Sequence, residues 1–345
     1  MEERKEYCNL DVAKFLCALL IIVIHTRPLL DVSPVANFYT ADVLARTAVP
    51  LFFAMSGFLF FRKLQWQDGK ICPCGENRKR LGQYLKRVAH IYLCWSLIYT
   101  IAKLPQWYAT GWWGMQLVRD VLVSWIVRGS HYHLWYLLAS LYAMPILYVL
   151  LRYIPVRKIL YPAGLLLLCE CLVYSYSWLG TEEISVVSLV LQKAPILFHT
   201  VFRAVPLLAI GALCTAVRPG QGRKKFFLPV LACFLLCVAE ASVLYFASPN
   251  EEKYSYLLVT PFFVFFTMEW LLHGKQLSLS QQKSKMLRDA SLTMYCMHPL
   301  VIIAFDLLQV NSSLLIWGVT TVSVTIFSLV WKRYRDDPSG RKVNQ

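Results

Sequence analysis

The chain has 345 residues, 57% of them hydrophobic and only 16% charged, with a mean hydropathy of +0.50. Soluble domains carry roughly 45–50% apolar and about 25% charged residues, which excludes a soluble globular protein, a disordered chain, a coiled coil and an extracellular disulfide scaffold. A polytopic membrane protein remains, and its net charge of +15 reads as orienting charge in cytoplasmic loops and not as a nucleic-acid surface.

A spanning helix needs about 20 mostly apolar residues. The first run, 11–30, follows the mixed-charge start Met1-Glu-Glu-Arg-Lys-Glu without a small-residue cleavage site, so it reads as a retained helix and not a signal peptide. Further runs lie at 43–61, 88–104, 114–128, 133–151, 159–177, 199–217, 226–246, 256–273, 291–309 and 313–331. The stretch 114–128 is short and holds Arg119, Asp120 and Arg128, so it is read as an interfacial or re-entrant helix. The expected fold is an all-α transmembrane bundle of about ten spans. Residues 1–335 form one domain, and 336–345 a short polar cytoplasmic tail.

Basic residues set the orientation. One set of loops and ends carries Arg4, Lys5, Arg62, Lys63, Lys70, Arg78, Lys79, Arg80, Lys86, Arg87, Arg152, Arg157, Lys158, Arg218, Arg223, Lys224, Lys225, Lys275, Lys283, Lys285, Arg288, Lys332, Arg333, Arg335, Arg341 and Lys342. The other set holds Arg27, Arg46, Lys103, Arg119, Arg128, Lys193, Arg203 and Lys253. The positive-inside rule puts both termini in the cytoplasm. Trp107, Tyr108, Trp112 and Trp113 then fit an outer aromatic belt. Most cysteines lie in apolar runs, and Cys72-Pro-Cys74 lacks a second ligand pair, so neither disulfides nor a metal site are expected.

Ionisable residues inside spans mark pathways or sites. Here they are Lys14, His25, Arg46, His133, Glu170, His199, Arg203, Glu240, Glu269, His298 and Asp306, and as a set they argue for a polar cavity. Lys14 and His25 are eleven residues apart, which returns them to within about 20° of one helical face with a rise of roughly 16 Å between them. Asp11 lies three residues before Lys14, within ion-pair reach. A cation at the inner edge suits an anionic ligand such as a nucleotide phosphate, and a deeper imidazole suits base catalysis or transient acyl acceptance. The plainer alternative is a buried hydrogen-bonded His and a snorkelling Lys. Glu170 and Glu240 either pair with Arg203 or His199 or line an acceptor path. Ser56-Gly57 lacks a Gly-x-Ser-x-Gly elbow and reads as small-residue packing. His298 precedes Pro299, and packing is its first reading.

Asp11, Lys14 and His25 resemble the opening signature of the integral membrane acyltransferase family 3. The similarity continues through Val49-Pro-Leu-Phe-Phe-Ala-Met-Ser-Gly-Phe-Leu59, Tyr84-Leu-Lys-Arg-Val-Ala-His90, His133-Leu-Trp-Tyr136 and Ser291-Leu-Thr-Met-Tyr-Cys-Met-His298-Pro. The family's Arg is Lys14 here, which keeps the charge and loses the planar fork. The resemblance implies a bacterial inner-membrane O-acyltransferase with no bound cofactor and an acyl-CoA, first of all acetyl-CoA, as co-substrate. Its acceptor would be a hydroxyl of a carbohydrate or another envelope molecule, and its setting the lipid bilayer; homo-oligomerisation stays open. It implies His25 as base or acyl relay, Asp11 orienting Lys14, and Lys14, Lys86 and Arg87 on the donor phosphates. Trp135 and Tyr136, with Glu170 and Glu240, would serve the acceptor. The chain also resembles the membrane domain of vancomycin-type serine racemases, which implies the alternative of a small-solute or amino-acid transporter.

Overall fold

The computed structural model describes residues 7–176, 195–216, 224–247 and 256–336. Arg4, Lys5, Lys193, Arg218, Arg223, Lys253, Arg341 and Lys342, together with tail residues 337–345, lie outside the described residues.

Helix α1 runs Cys8–Thr26 and stops four residues before the end of the apolar run. Arg27 takes a left-handed conformation (φ 46°) and its N–H bonds Val23 O; Pro28 then cannot continue the helix. Helix α2 is the continuous stretch Pro34–Phe61, starting nine residues before the expected 43. Ser33 accepts the Ala36 N–H at 3.2 Å and Pro34 takes the first turn, a capped start that hydropathy does not register. A π-turn at Phe38–Leu44 and a 3-10 turn at Ala45–Thr47 interrupt it.

A small hairpin follows, β1 (Trp66–Gln67) against β2 (Lys70–Ile71). Asp68 and Gly69 both adopt positive φ (50° and 73°), the turn that matches strand twist, so the chain is helical with one minimal antiparallel pair. Helix α3, Gly75–Ala109, has 35 residues and extends the expected 88–104 span at both ends. Helix α4 (Met115–Val123), with its π-turn Ser124–Arg128, is too short to span, in keeping with an interfacial or re-entrant helix.

The remaining helices are α5 (Trp135–Tyr153), α6 (Leu160–Tyr174) and α7, which joins Pro195–Phe198, a π-turn His199–Ala204 and Val205–Leu213. After them come α8 (Lys224–Ala247), α9 (Thr260–His273), α10 (Gln281–Leu307) and α11 (Ser313–Asp336). Among the described residues six helices are long and apolar enough to cross a membrane, by length and composition: α1, α2, α5, α8, α10 and α11. The expected spans at 159–177, 199–217 and 256–273 fall on shorter helices, and 88–104 lies within the longer, more polar α3.

The chain divides into two compact units, one of Met1–Phe52, Pro219–Val238 and Glu269–Gln345, the other of Phe53–Arg218 and Ala239–Met268. In the first, α1 packs along α10, and α10 along α11. Ala18, Ile22, Met294 and Val324 form a fully buried core there, flanked by Phe15, Leu19, Met297 and Trp317.

In the second unit the end of α2 meets α7 backbone to backbone. A Cβ on Gly57 would strike the Leu208 carbonyl, and one on Gly211 the Ala54 carbonyl. Small residues are what permit such approach between membrane helices. Gly211→Leu is therefore expected to remove folded protein from the membrane fraction, whereas Gly164→Leu, whose Cβ would meet nothing within 4 Å, should leave it. Detergent extraction followed by size-exclusion chromatography checks both.

Candidate functional site

The polar face of α1 is a single stripe. Asp11, Lys14, Ala18, Ile22 and His25 follow one another at spacings of three or four, which aligns them on one side of the helix. Ala18 and Ile22 are the buried middle of the stripe, packed with Met294 of α10 and Val324 of α11. The two polar ends therefore face the same neighbours.

At the first end Asp11 is buried and accepts a 2.6 Å hydrogen bond from Ser284 Oγ, with Arg288 Nη1 at 3.5 Å from the same oxygen. Asn9 fastens the start of α1 by donating to Leu271 O (3.1 Å) and accepting the Leu277 N–H (3.1 Å). Ser280 caps α10 by accepting the Lys283 N–H at 3.3 Å. That helix N-terminus carries a partial positive charge, to which Lys283, Lys285 and Arg288 add whole ones. With Lys14 three residues beyond Asp11, the end as a whole is cationic and suits a phosphate-bearing ligand.

At the other end the His25 ring stacks on His298 of α10, with centroids 5.2 Å apart and planes inclined by 23°. His298 is fully buried, and its Nδ1 lies 3.1 Å from Met294 O, so Nδ1 carries the proton and donates it. Two residues past His25, Arg27 Nη2 meets Asp42 Oδ2 at 2.7 Å, while Arg46 grips Asp42 Oδ1 through Nε (3.0 Å) and Nη2 (2.8 Å). Two guanidiniums thus share one buried carboxylate, which ties the end of α1 to α2.

The second unit holds a separate cluster. Arg203 Nε bonds Glu170 Oε1 at 2.8 Å, both side chains being largely buried. The guanidinium lies 3.8 Å from the Tyr256 ring centroid and 5.6 Å from that of Trp135, and Trp135 also contacts His199 at 4.6 Å. Tyr136 shares a 2.9 Å hydroxyl hydrogen bond with Ser56 and packs on Phe53. Trp135 and Glu170 thus meet at Arg203, the partner Glu170 takes, whereas Tyr136 contacts Ser56 and Phe53. Glu240 does other work: it accepts from Tyr176 Oη (2.7 Å) and from the backbone N–H groups of Leu258 and Val259 (2.6 and 3.1 Å) just before α9. Lys86 and Arg87 are exposed on α3. One turn away, burial first and then Tyr136 push the Tyr84 phenol well above its ordinary range, so it stays neutral.

Sequence reasoning passed over Ser284, Arg288 and Tyr256 as site residues. Arg288 was legible only as one more loop charge, and the contacts of the other two depend on pairings between distant helices.

Six long apolar helices, with ionisable side chains buried among the helices, define a helical membrane protein. Residues 9–332 match the Acyltransferase domain model of acyltransferase family 3, and the chain belongs to that family. It is 27% identical over 309 residues to an amino-acid racemase of Enterococcus faecalis, covering 86% of this chain and 41% of that protein. To a serine/alanine racemase of Enterococcus gallinarum it is 25% identical over 324 residues, covering 89% and 42%. The chain thus spans about two fifths of the length of these relatives. No solved structure matches it.

Proposed function

We propose that the protein is an O-acyltransferase of the bacterial inner membrane that moves an acyl group, first of all acetyl, from cytoplasmic acyl-CoA to a hydroxyl of a carbohydrate or other envelope molecule. The observation that carries the reading is the α1 stripe, with a cationic end around Lys14 and Arg288 and a histidine pair at the other end. Donor phosphates dock at the cationic end, where Lys14, Lys283, Lys285 and Arg288 carry the positive charge. His25 removes the acceptor hydroxyl proton as the oxygen attacks the thioester carbonyl. The carbon–sulfur bond breaks, and the CoA thiolate leaves with the proton returned from the imidazolium. Family membership supports this chemistry.

A second reading, passage of an amino acid, draws on the racemase relatives. Membrane vesicles supplied with labelled acetyl-CoA separate the two. Acyl transfer gives CoA release and base-labile label on carbohydrate, whereas serine accumulation without CoA release overturns it. Lys14→Ala is expected to raise the KM for acyl-CoA by about 10–100-fold, as befits loss of a hydrogen bond to a charged group. Lys14→Arg should restore it, read from initial rates against donor concentration.

A further inference from the structure

A polar, indole-lined cavity lies where α3, α4 and the turn before α5 converge. It has a volume of about 250 Å³, and its walls include Lys103, Trp107, Trp112, Asp120, Trp125 and Arg128. We infer that it binds one sugar ring; naming that sugar as part of the acceptor rests on the acyl-transfer reading, while the binding itself does not.

The wall is built by hydrogen bonds that hold its aromatic groups in place. Trp125 Nε1 donates to Thr100 Oγ1 at 3.2 Å, and Tyr92 Oη donates to the Trp125 carbonyl at 2.6 Å while accepting the Ser130 N–H at 3.2 Å. Ser96 and Ser130 share a 2.6 Å hydroxyl bond, and Lys103 Nζ reaches Ser130 O at 3.5 Å. Gly129, at φ 90°, lets this turn pass within 3.0 Å of the Trp135 backbone as measured from a Cβ placed there. Trp107 and Trp112 stand perpendicular, with centroids 6.3 Å apart. Asp120 and Arg128 also line the cavity, and among the described residues neither side chain has a hydrogen bond or ion pair.

That combination selects a ligand. A pyranose has an apolar C–H face to lay on an indole and a rim of hydroxyls that both donate and accept. Asp120 accepts from the rim, and Lys103 and Arg128 donate to it. A small amino acid could meet the charges but has no face to cover three indoles. An aromatic belt alone, which serves lipid headgroups, needs no carboxylate and guanidinium in the same cavity. The volume lies below the roughly 300–1,000 Å³ of ordinary small-molecule pockets, which limits occupancy to a single ring.

The test uses the full chain in lipid nanodiscs without acyl-CoA, with saturation-transfer NMR on the methyl pyranosides of glucose, N-acetylglucosamine, rhamnose and glucuronic acid, and on L-serine. At least one pyranoside should receive saturation on its ring protons. Asp120→Asn and Trp107→Ala should each weaken that binding by tenfold or more, and Gly164→Leu, where an added Cβ meets nothing within 4 Å, should leave it unchanged. The isosteric Asp120→Asn keeps the test valid if Trp107→Ala misfolds. Binding of L-serine alone, binding of no pyranoside, or equal binding by Asp120→Asn overturns the proposal. Failure of the acyl-transfer reading shows separately, as absence of CoA release with sugar binding intact.

Discussion

His25→Ala should lower acyl transfer by about 10²–10⁴-fold, the usual worth of a positioned general base, without loss of folded protein. The fold is held on this helix by Ala18 and Ile22 against Met294 and Val324, and by the Asn9 bonds at the other end, none of which involves the imidazole. What the substitution removes is the ring stacked on His298, and with it the base for the acceptor hydroxyl. Initial rates with labelled acetyl-CoA, beside a size-exclusion profile of the same preparation, give both quantities. Activity within a few-fold of wild type, from a well-folded variant, would remove His25 from the chemistry.

Arg203→Ala should destabilise the second unit by about 3–5 kcal/mol, because it leaves the Glu170 carboxylate buried without its cation. Glu170 is 3% exposed and its ion pair is 2.8 Å long, so little water is at hand to replace the guanidinium. Stacking on Tyr256 at 3.8 Å adds a cation–π contribution of about 1–2 kcal/mol that is lost as well. Glu170→Leu combined with Arg203→Met removes both charges and should recover most of the stability, since apolar replacement of a buried pair is often neutral or better. Thermal unfolding of the three variants in nanodiscs forms the cycle. A shift of under 1 kcal/mol for Arg203→Ala would mean that water reaches Glu170, and would return that carboxylate to an acceptor path.

Hydropathy located the helices well where they are plainly apolar, and missed where backbone chemistry sets the ends. The start of α2 rests on Ser33 and Pro34, and the end of α1 on the left-handed Arg27; neither is visible in a hydropathy average. The polar stripe on α1 was legible because helical period alone brings Asp11, Lys14 and His25 to one face. Its partners were not, because Ser284 and His298 come from a helix more than 250 residues away.

The amino-acid sequence by itself determined the class of the protein. Composition forces the chain into a membrane, and the cost of charge there makes each ionisable residue in an apolar helix worth naming. It also determined the ordered motifs that mark the family. Tertiary structure alone decided which of those residues act together: Glu170 with Arg203, Glu240 with the start of α9, Asp11 with Ser284 and Arg288. Periodicity reports only neighbours along one helix, and these pairings are set by how separate helices pack.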